Sequence, residues 1–161
     1  MRIRPTARLI VLNPDQRVLL FRVHAQIVVD VNDLHGSDQP QEFWMTPGGG
    51  VEDGESFEQA ALRELTEETG VVLTDIPPHL LEHDKILHAD NEDVLFRLRY
   101  FPVRIEHQEI SLSGQSAYEI AGLREHRWWS IDELEATAET IFPVELASIV
   151  RQAIGWNQQM V

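Results

Sequence analysis

Two short apolar runs near the start of the chain, RLIVL and RVLLF, flank the tetrad NPDQ. Runs of this length, rich in branched residues and separated by turn formers, predict a β-hairpin over residues 7–23. Residues 24–42 lose that periodicity and gather Asp, Asn, Gly, Ser and Pro, as a long lid or substrate-facing loop does. FWMT (43–46) reads as a short strand that enters a glycine turn. The period then changes. Phe57, Ala60, Ala61 and Leu65 recur at helical spacing, Ser56 and Gln59 have the spacing of a capping box, and Gly70 stands where a C-terminal cap glycine belongs. LLEHDKILH and VLFRLRYFPVRI alternate as two strands around the turn ADNED, and residues 106–125 read as an irregular or partly helical loop. HRWWS is another short strand, Ser130 with Glu133 opens a second helix, and Pro143 opens a last one through about Gly155. The order is mixed α/β, with a helix packed on a sheet.

Composition narrows this picture. The chain of 161 residues is long enough for one domain with a real core and too short for two comfortable ones. Absence of cysteine removes disulfides, zinc–thiolate sites and thiol nucleophiles together. The apolar run Leu9 to Leu12 is too short for a signal peptide, and no stretch approaches the roughly 20 apolar residues of a membrane span. A cytoplasmic protein with no membrane partner is expected. The formal net charge of -14 makes nucleic acid an unlikely partner, because the surface repels a phosphate backbone. An anionic substrate then needs local cations, and carboxylates that hold divalent ions supply them.

The stretch TPGGGVEDGESFEQAALRELTEETGV (46–71) carries the candidate chemistry. Glu64, Glu67 and Glu68 fall at i, i+3 and i+4, so a helix projects them as neighbours that repel unless a cation intervenes. Carboxylate oxygens without His or Cys suit hard ions, and magnesium often shares such ligands with substrate phosphates. The glycines let backbone approach a ligand closely, and a carbonyl of that turn can add a further oxygen. Glu55 and Arg63 are placed to pair and to tie the loop to the helix. Read alone, ELTEE is a solvated helix face; the glycine turn and the defined spacing point to a site instead.

Gly49, five residues, Glu55, seven residues, Arg63-Glu64-Leu65, one residue, Glu67-Glu68, one residue, Gly70-Val71 matches the Nudix box at seven fixed identities and two aliphatic positions. The chain thus resembles the Nudix hydrolases. The resemblance implies an α/β/α sandwich with a mixed sheet and hydrolysis of a nucleoside diphosphate linked to another moiety, by attack of water on phosphorus. It implies Mg²⁺ or Mn²⁺ on Glu64, Glu67 and Glu68 with the Gly48 carbonyl, and a holding role for Glu55 and Arg63. It also implies a general base from the loop before the penultimate strand, where Glu119 is the first candidate, followed by Glu125 and Glu109; Glu64 itself is the alternative. By elimination of branch motifs, nucleoside triphosphates or nucleotide sugars are the expected substrates. A weakly catalytic nucleotide sensor is the competing reading, and an RNA 5′-end pyrophosphohydrolase is disfavoured by the acidic charge.

Other candidates carry less. DVNDLHG (30–36) fails as a calcium loop at Leu34 and His35. His79, His83 and His88 read as surface or core-edge residues. Of Trp128 and Trp129 one faces the core and the other is a candidate to stack on a base, and Phe43 and Trp44 pose the same choice. Val144, Ile149, Val150, Ile154 and Trp156 read as internal packing, with monomer and homodimer both open.

Overall fold

The computed structural model describes residues 1–25, 41–89, 91–106, 110 and 123–159. In chain order the elements are β1 (Arg2–Leu12), β2 (Val18–Ala25), β3 (Gln41–Met45), β4 (Gly48–Gly50), α1 (Phe57–Thr69), β5 (Leu81–Ala89), β6 (Glu92–Arg104), β7 (Leu123–Trp129), α2 (Ile131–Ala136), β8 (Ile141–Phe142) and α3 (Leu146–Gln159). The strands form one mixed sheet in the order β5-β6-β1-β2-β3-β8, with β4 added to β1 and β7 added to β2.

The first hairpin exists, but only at its turn. Asn13 Oδ1 accepts from the N–H groups of Asp15 (3.0 Å) and Arg17 (2.9 Å), closing the turn around Leu12 and Val18. Beyond that pair the strands part. β1 runs parallel to β6 from Arg2–Val94 to Leu12–Arg104, while β2 takes β7 and β3 as antiparallel neighbours. Both strands are apolar on both faces, so each lies inside the sheet and needs ladder partners on two sides. A hairpin supplies one.

Alternation sorts the core into two layers. Ala7, Leu9, Val11, Phe101 and Val103 meet Ala60, Ala61 and Leu65 of α1 on one face. Ile10, Leu12, Leu98, Tyr100, Trp44 and Trp129 meet Leu134 of α2 and Leu146, Ile149 and Val150 of α3 on the other. The result is an α/β/α sandwich around a mixed sheet.

Four expectations change. β7 begins at Leu123, inside the stretch 106–125 expected to be irregular or partly helical. The glycine run 48–50 is a strand paired with Thr6–Arg8 rather than a free turn. α3 begins at Leu146, three residues after Pro143, whose carbonyl accepts from the Leu146 N–H at 3.1 Å. Ile149, Val150 and Ile154 pack internally as expected, but Val144 precedes the helix and is exposed. Among the described residues no helix is long and apolar enough to cross a membrane.

Candidate active site

The box helix is fixed at both ends by its own sequence. Ser56 Oγ accepts from the Gln59 N–H at 3.0 Å, and Gln59 Oε1 returns the favour to the Ser56 N–H at 2.8 Å. Gly70 ends it in the left-handed region, φ 80°, donating to the Thr66 carbonyl. Between these ends Ala60, Ala61 and Leu65 are fully buried. Glu64 and Glu68 lie on the edge of that stripe and are themselves buried, at 5% and 7% exposure. Two carboxylates are thus carried into the interior one turn apart, which is costly unless cations and donors meet them.

Arg63 is the cation that meets Glu64. Its Nε and Nη2 grip Glu55 through Oε2 (2.8 Å) and Oε1 (2.9 Å), a bidentate pair that joins loop to helix. Nη1 donates to Glu64 Oε1 at 2.8 Å and to Glu67 Oε2 at 3.3 Å, and Nη2 also reaches the Gly50 carbonyl at 3.0 Å. The hydrogen bond from Arg63 holds the Glu55 carboxyl below its ordinary range, and Glu55 in turn raises the Arg63 guanidinium further above its own.

β4 supplies the rest of the wall. The ladder bonds Leu9 N–H to Pro47 O and Val51 N–H to Pro5 O, both 2.9 Å, leave Gly48 in a non-hydrogen-bonded position opposite Arg8. Its N–H turns away from β1 and donates to Glu68 Oε2 at 2.9 Å. Gly48 has φ 144°, and a Cβ there would sit 2.2 Å from the Ala7 carbonyl oxygen, so glycine is required by backbone alone. Gly49 is required by the carboxylate: a Cβ would stand 2.3 Å from Glu64 Oε1.

These residues fit a hard divalent ion in chemistry. The donors are all oxygen, and Glu64 Oε2 is buried with no hydrogen-bond partner among the described residues. Arg63 draws on Glu64 and Glu67 as they stand, and among the described residues no three acidic or histidine side chains are gathered as an ion-holding cluster.

Sequence reading missed a buried arginine that grips Thr46, two residues before Gly48. Arg8 of β1 is buried, donating from Nε to Thr46 Oγ1 at 3.2 Å and from Nη2 to the Thr46 carbonyl. Burial lowers its pKa, and Glu68 and Glu64 are among the groups that oppose the shift. The signal was an arginine on a strand that is otherwise apolar toward its end.

The remaining candidates are dispersed. Glu119, Glu109 and residues 30–36 lie outside the described residues. Glu125 is described, and its Oε1 accepts from Arg22 at 2.7 Å across β2 and β7. His79 meets the Phe101 ring edge-on, His83 lies 3.1 Å from Glu145, and His88 lies 3.2 Å from Asp93, so the three histidines form no common site. Trp129 is core, edge-on to Trp44 at 5.3 Å, whereas Trp128 packs partly buried on the α1 side; Phe43 and Trp44 are both buried.

The family model for the NUDIX domain matches residues 2–149. The chain belongs to the Nudix family. It is a Nudix hydrolase, of a family of pyrophosphohydrolases that generally use divalent metals such as Mg²⁺. It is 33% identical over 156 residues to a protein named RNA pyrophosphohydrolase from Caulobacter vibrioides (strain NA1000 / CB15N), covering 87% of this chain and 77% of that one. A Brucella abortus (strain 2308) protein of the same name is 38% identical over 90 residues, covering 48% and 47%. Among solved structures, the E. coli ORF135 protein superposes with TM-score 0.62 at 22% identity, over 98% of this Nudix chain and 92% of that one. The MutT NUDIX hydrolase from Burkholderia pseudomallei gives TM-score 0.62 at 19% identity, over 94% and 98%. These two likenesses concern the fold.

Proposed function

We propose that this Nudix hydrolase is a divalent-metal-dependent enzyme that cleaves a nucleoside diphosphate linked to another moiety. The observation that carries the reading is the carboxylate surplus around Arg63, with one buried oxygen of Glu64 left over. Glu64, Glu67 and Glu68, with the Gly48 carbonyl, would hold Mg²⁺ or Mn²⁺. When bound, the ion neutralises phosphate charge and lowers the pKa of water. Glu55 and Arg63 fix loop against helix, and Gly48 aims Glu68. Water adds to phosphorus, a phosphoanhydride bond breaks, and the water proton passes to a carboxylate, Glu119 first, with Glu125, Glu109 and Glu64 as the alternatives.

Small nucleotides, meaning triphosphates or nucleotide sugars, suit a chain of net charge -14. A second reading, the 5′-triphosphate end of RNA, is favoured by the name of the Caulobacter relative. Both substrates present the same phosphoanhydride. The test is product release from nucleoside triphosphates, nucleotide sugars and a 5′-triphosphorylated oligoribonucleotide, with Mg²⁺ and with added chelator. Chelator-sensitive turnover of a free nucleotide supports the first reading. Preference for the oligonucleotide supports the second, and binding without turnover points to a sensor. Glu119→Gln then tests the base: an unchanged pH–rate profile excludes Glu119.

A further inference from the structure

α1 does not cover the whole of the sheet face it packs on. Its first residue, Phe57, meets the Arg99 guanidinium at 4.1 Å, and the sheet continues past Arg99 toward the start of β1. Further rows of side chains share that face, and the ladder register sets their members. The first row carries Arg97 and Asp84, the second Ile3, Leu95 and Ile86, and the third Asp93 and His88. The middle row is apolar across three strands, yet Ile3, Leu95 and Ile86 belong to neither core cluster. Ile3 is 53% exposed, and Leu95 and Ile86 are only partly buried. An uncovered apolar row with a charged rim has the anatomy of a contact surface.

The rim charges run in opposite order on the two sides of that row. Toward α1 the anion is on β5 and the cation on β6, with Asp84 Oδ1 accepting from Arg97 Nε at 3.0 Å. On the far side β5 carries His88 and β6 the anion, with His88 Nδ1 3.2 Å from Asp93 Oδ1. A second copy laid face to face, about a two-fold axis along the apolar row, sets β5 on β5 and β6 on β6 with strand directions reversed. Apolar row then meets apolar row, Arg97 meets Asp93 of the second copy, and Asp84 meets its His88. An axis along the strands would instead set Arg97 on Arg97 and Asp93 on Asp93. The charges therefore select one register. The net charge of -14 repels copies at long range, which favours contact at a patch whose own charges nearly balance.

We propose that this face is a homodimer interface, in which the Ile3–Leu95–Ile86 row of one copy packs on the same row of another in the register fixed by Arg97 and Asp93. Three strands by three rows cover less than the roughly 800 Å² per partner of a standard interface, so the dimer is a weak and reversible one. The inference is independent of the reaction and of the metal.

Sedimentation equilibrium over a concentration series reads the association directly. The wild type should pass from monomer to dimer as concentration rises, and a chain that stays monomeric to its solubility limit overturns the proposal. Ile3→Asp puts a charge into the apolar row at a half-exposed position, so the melting temperature should hold while the dissociation constant rises at least about tenfold. Unchanged association in that variant places the dimer on another face and also overturns the proposal. Mixing tests the register. Arg97→Glu and Asp93→Arg each bring like charges together in their own homodimer, and each should weaken association about tenfold. Mixed in equal amounts, the two variants restore opposite charges at both contacts, and the heterodimer should return to within about threefold of wild-type affinity. A mixture that associates no more tightly than either variant alone refutes the register. A folding defect in either variant cannot imitate the rescue, because mixing leaves each chain's own contacts unchanged. Should either charge variant fail to fold, Ile3→Asp decides alone.

Discussion

The helices α1 and α2 begin with the same device and serve different ends. Ser130 and Glu133 cap α2 with reciprocal bonds of 3.1 Å, as Ser56 and Gln59 cap α1. At α2 the acid is outnumbered: Glu133 takes both Arg17 and Arg127, and Arg127 also lies over the Trp129 ring at 3.9 Å. The Ser130 N–H first, and Arg127 next, hold the Glu133 carboxyl down at about 2. At α1 the cation is outnumbered: Arg63 is within 4 Å of Glu52, Glu55, Glu64 and Glu67. Cap motifs alone therefore do not distinguish structure from chemistry. The sign of the local surplus does, because only the excess of carboxylates at α1 has affinity left for a cation.

The comparison breaks first if the α1 surplus is dispensable. Glu67→Gln should lower turnover by orders of magnitude with the melting temperature nearly unchanged; near-normal rates would remove the proposed metal role. Next come the two glycines. Gly49→Ala should displace the Glu64 carboxylate and lower activity with little loss of stability, since the clash is with the end of a side chain. Gly48→Ala clashes with backbone and should cost about 1–3 kcal/mol in urea unfolding; equal behaviour of the two variants would refute the distinction.

At α2 the effect is on stability and depends on pH. The folded pKa of Glu133 lies below its ordinary 4.5, so its contribution is fully present above about pH 4.5 and is lost as pH falls toward about 2. The difference in urea midpoint between wild type and Glu133→Gln should shrink to nothing across that window, and a pH-independent difference would show the network to be inert. The smallest effect is at the caps. Ser130→Ala and Ser56→Ala should each cost about 1 kcal/mol, with turnover preserved in Ser130→Ala.

What was legible in the sequence was what neighbours along the chain decide. Capping spans three residues, the acids on α1 are a turn apart, and Arg63 reaches Glu55 across one helix entry, so periodicity and spacing suffice to place them. The gaps have a common cause. The parting of β1 from β2 and the conversion of the glycine run into β4 depend on ladder partners such as β6, which is some 90 residues away in the register Arg2–Val94. Glu125 looked like a candidate base by its position in the chain, and its engagement with Arg22 depends on the pairing of β7 with β2.

The sequence by itself determined the box helix, its caps, the loop-to-helix pairing and the hydrolase family, because each rests on local hydrogen bonding or on a motif with fixed spacing. Only the tertiary structure decided that Glu64 and Glu68 are buried, that the Gly48 N–H meets one of them, and that Arg8 is buried against Thr46. Burial and field strength are properties of what packs around a residue, and a strand pairing made between distant segments is what assembles that surrounding.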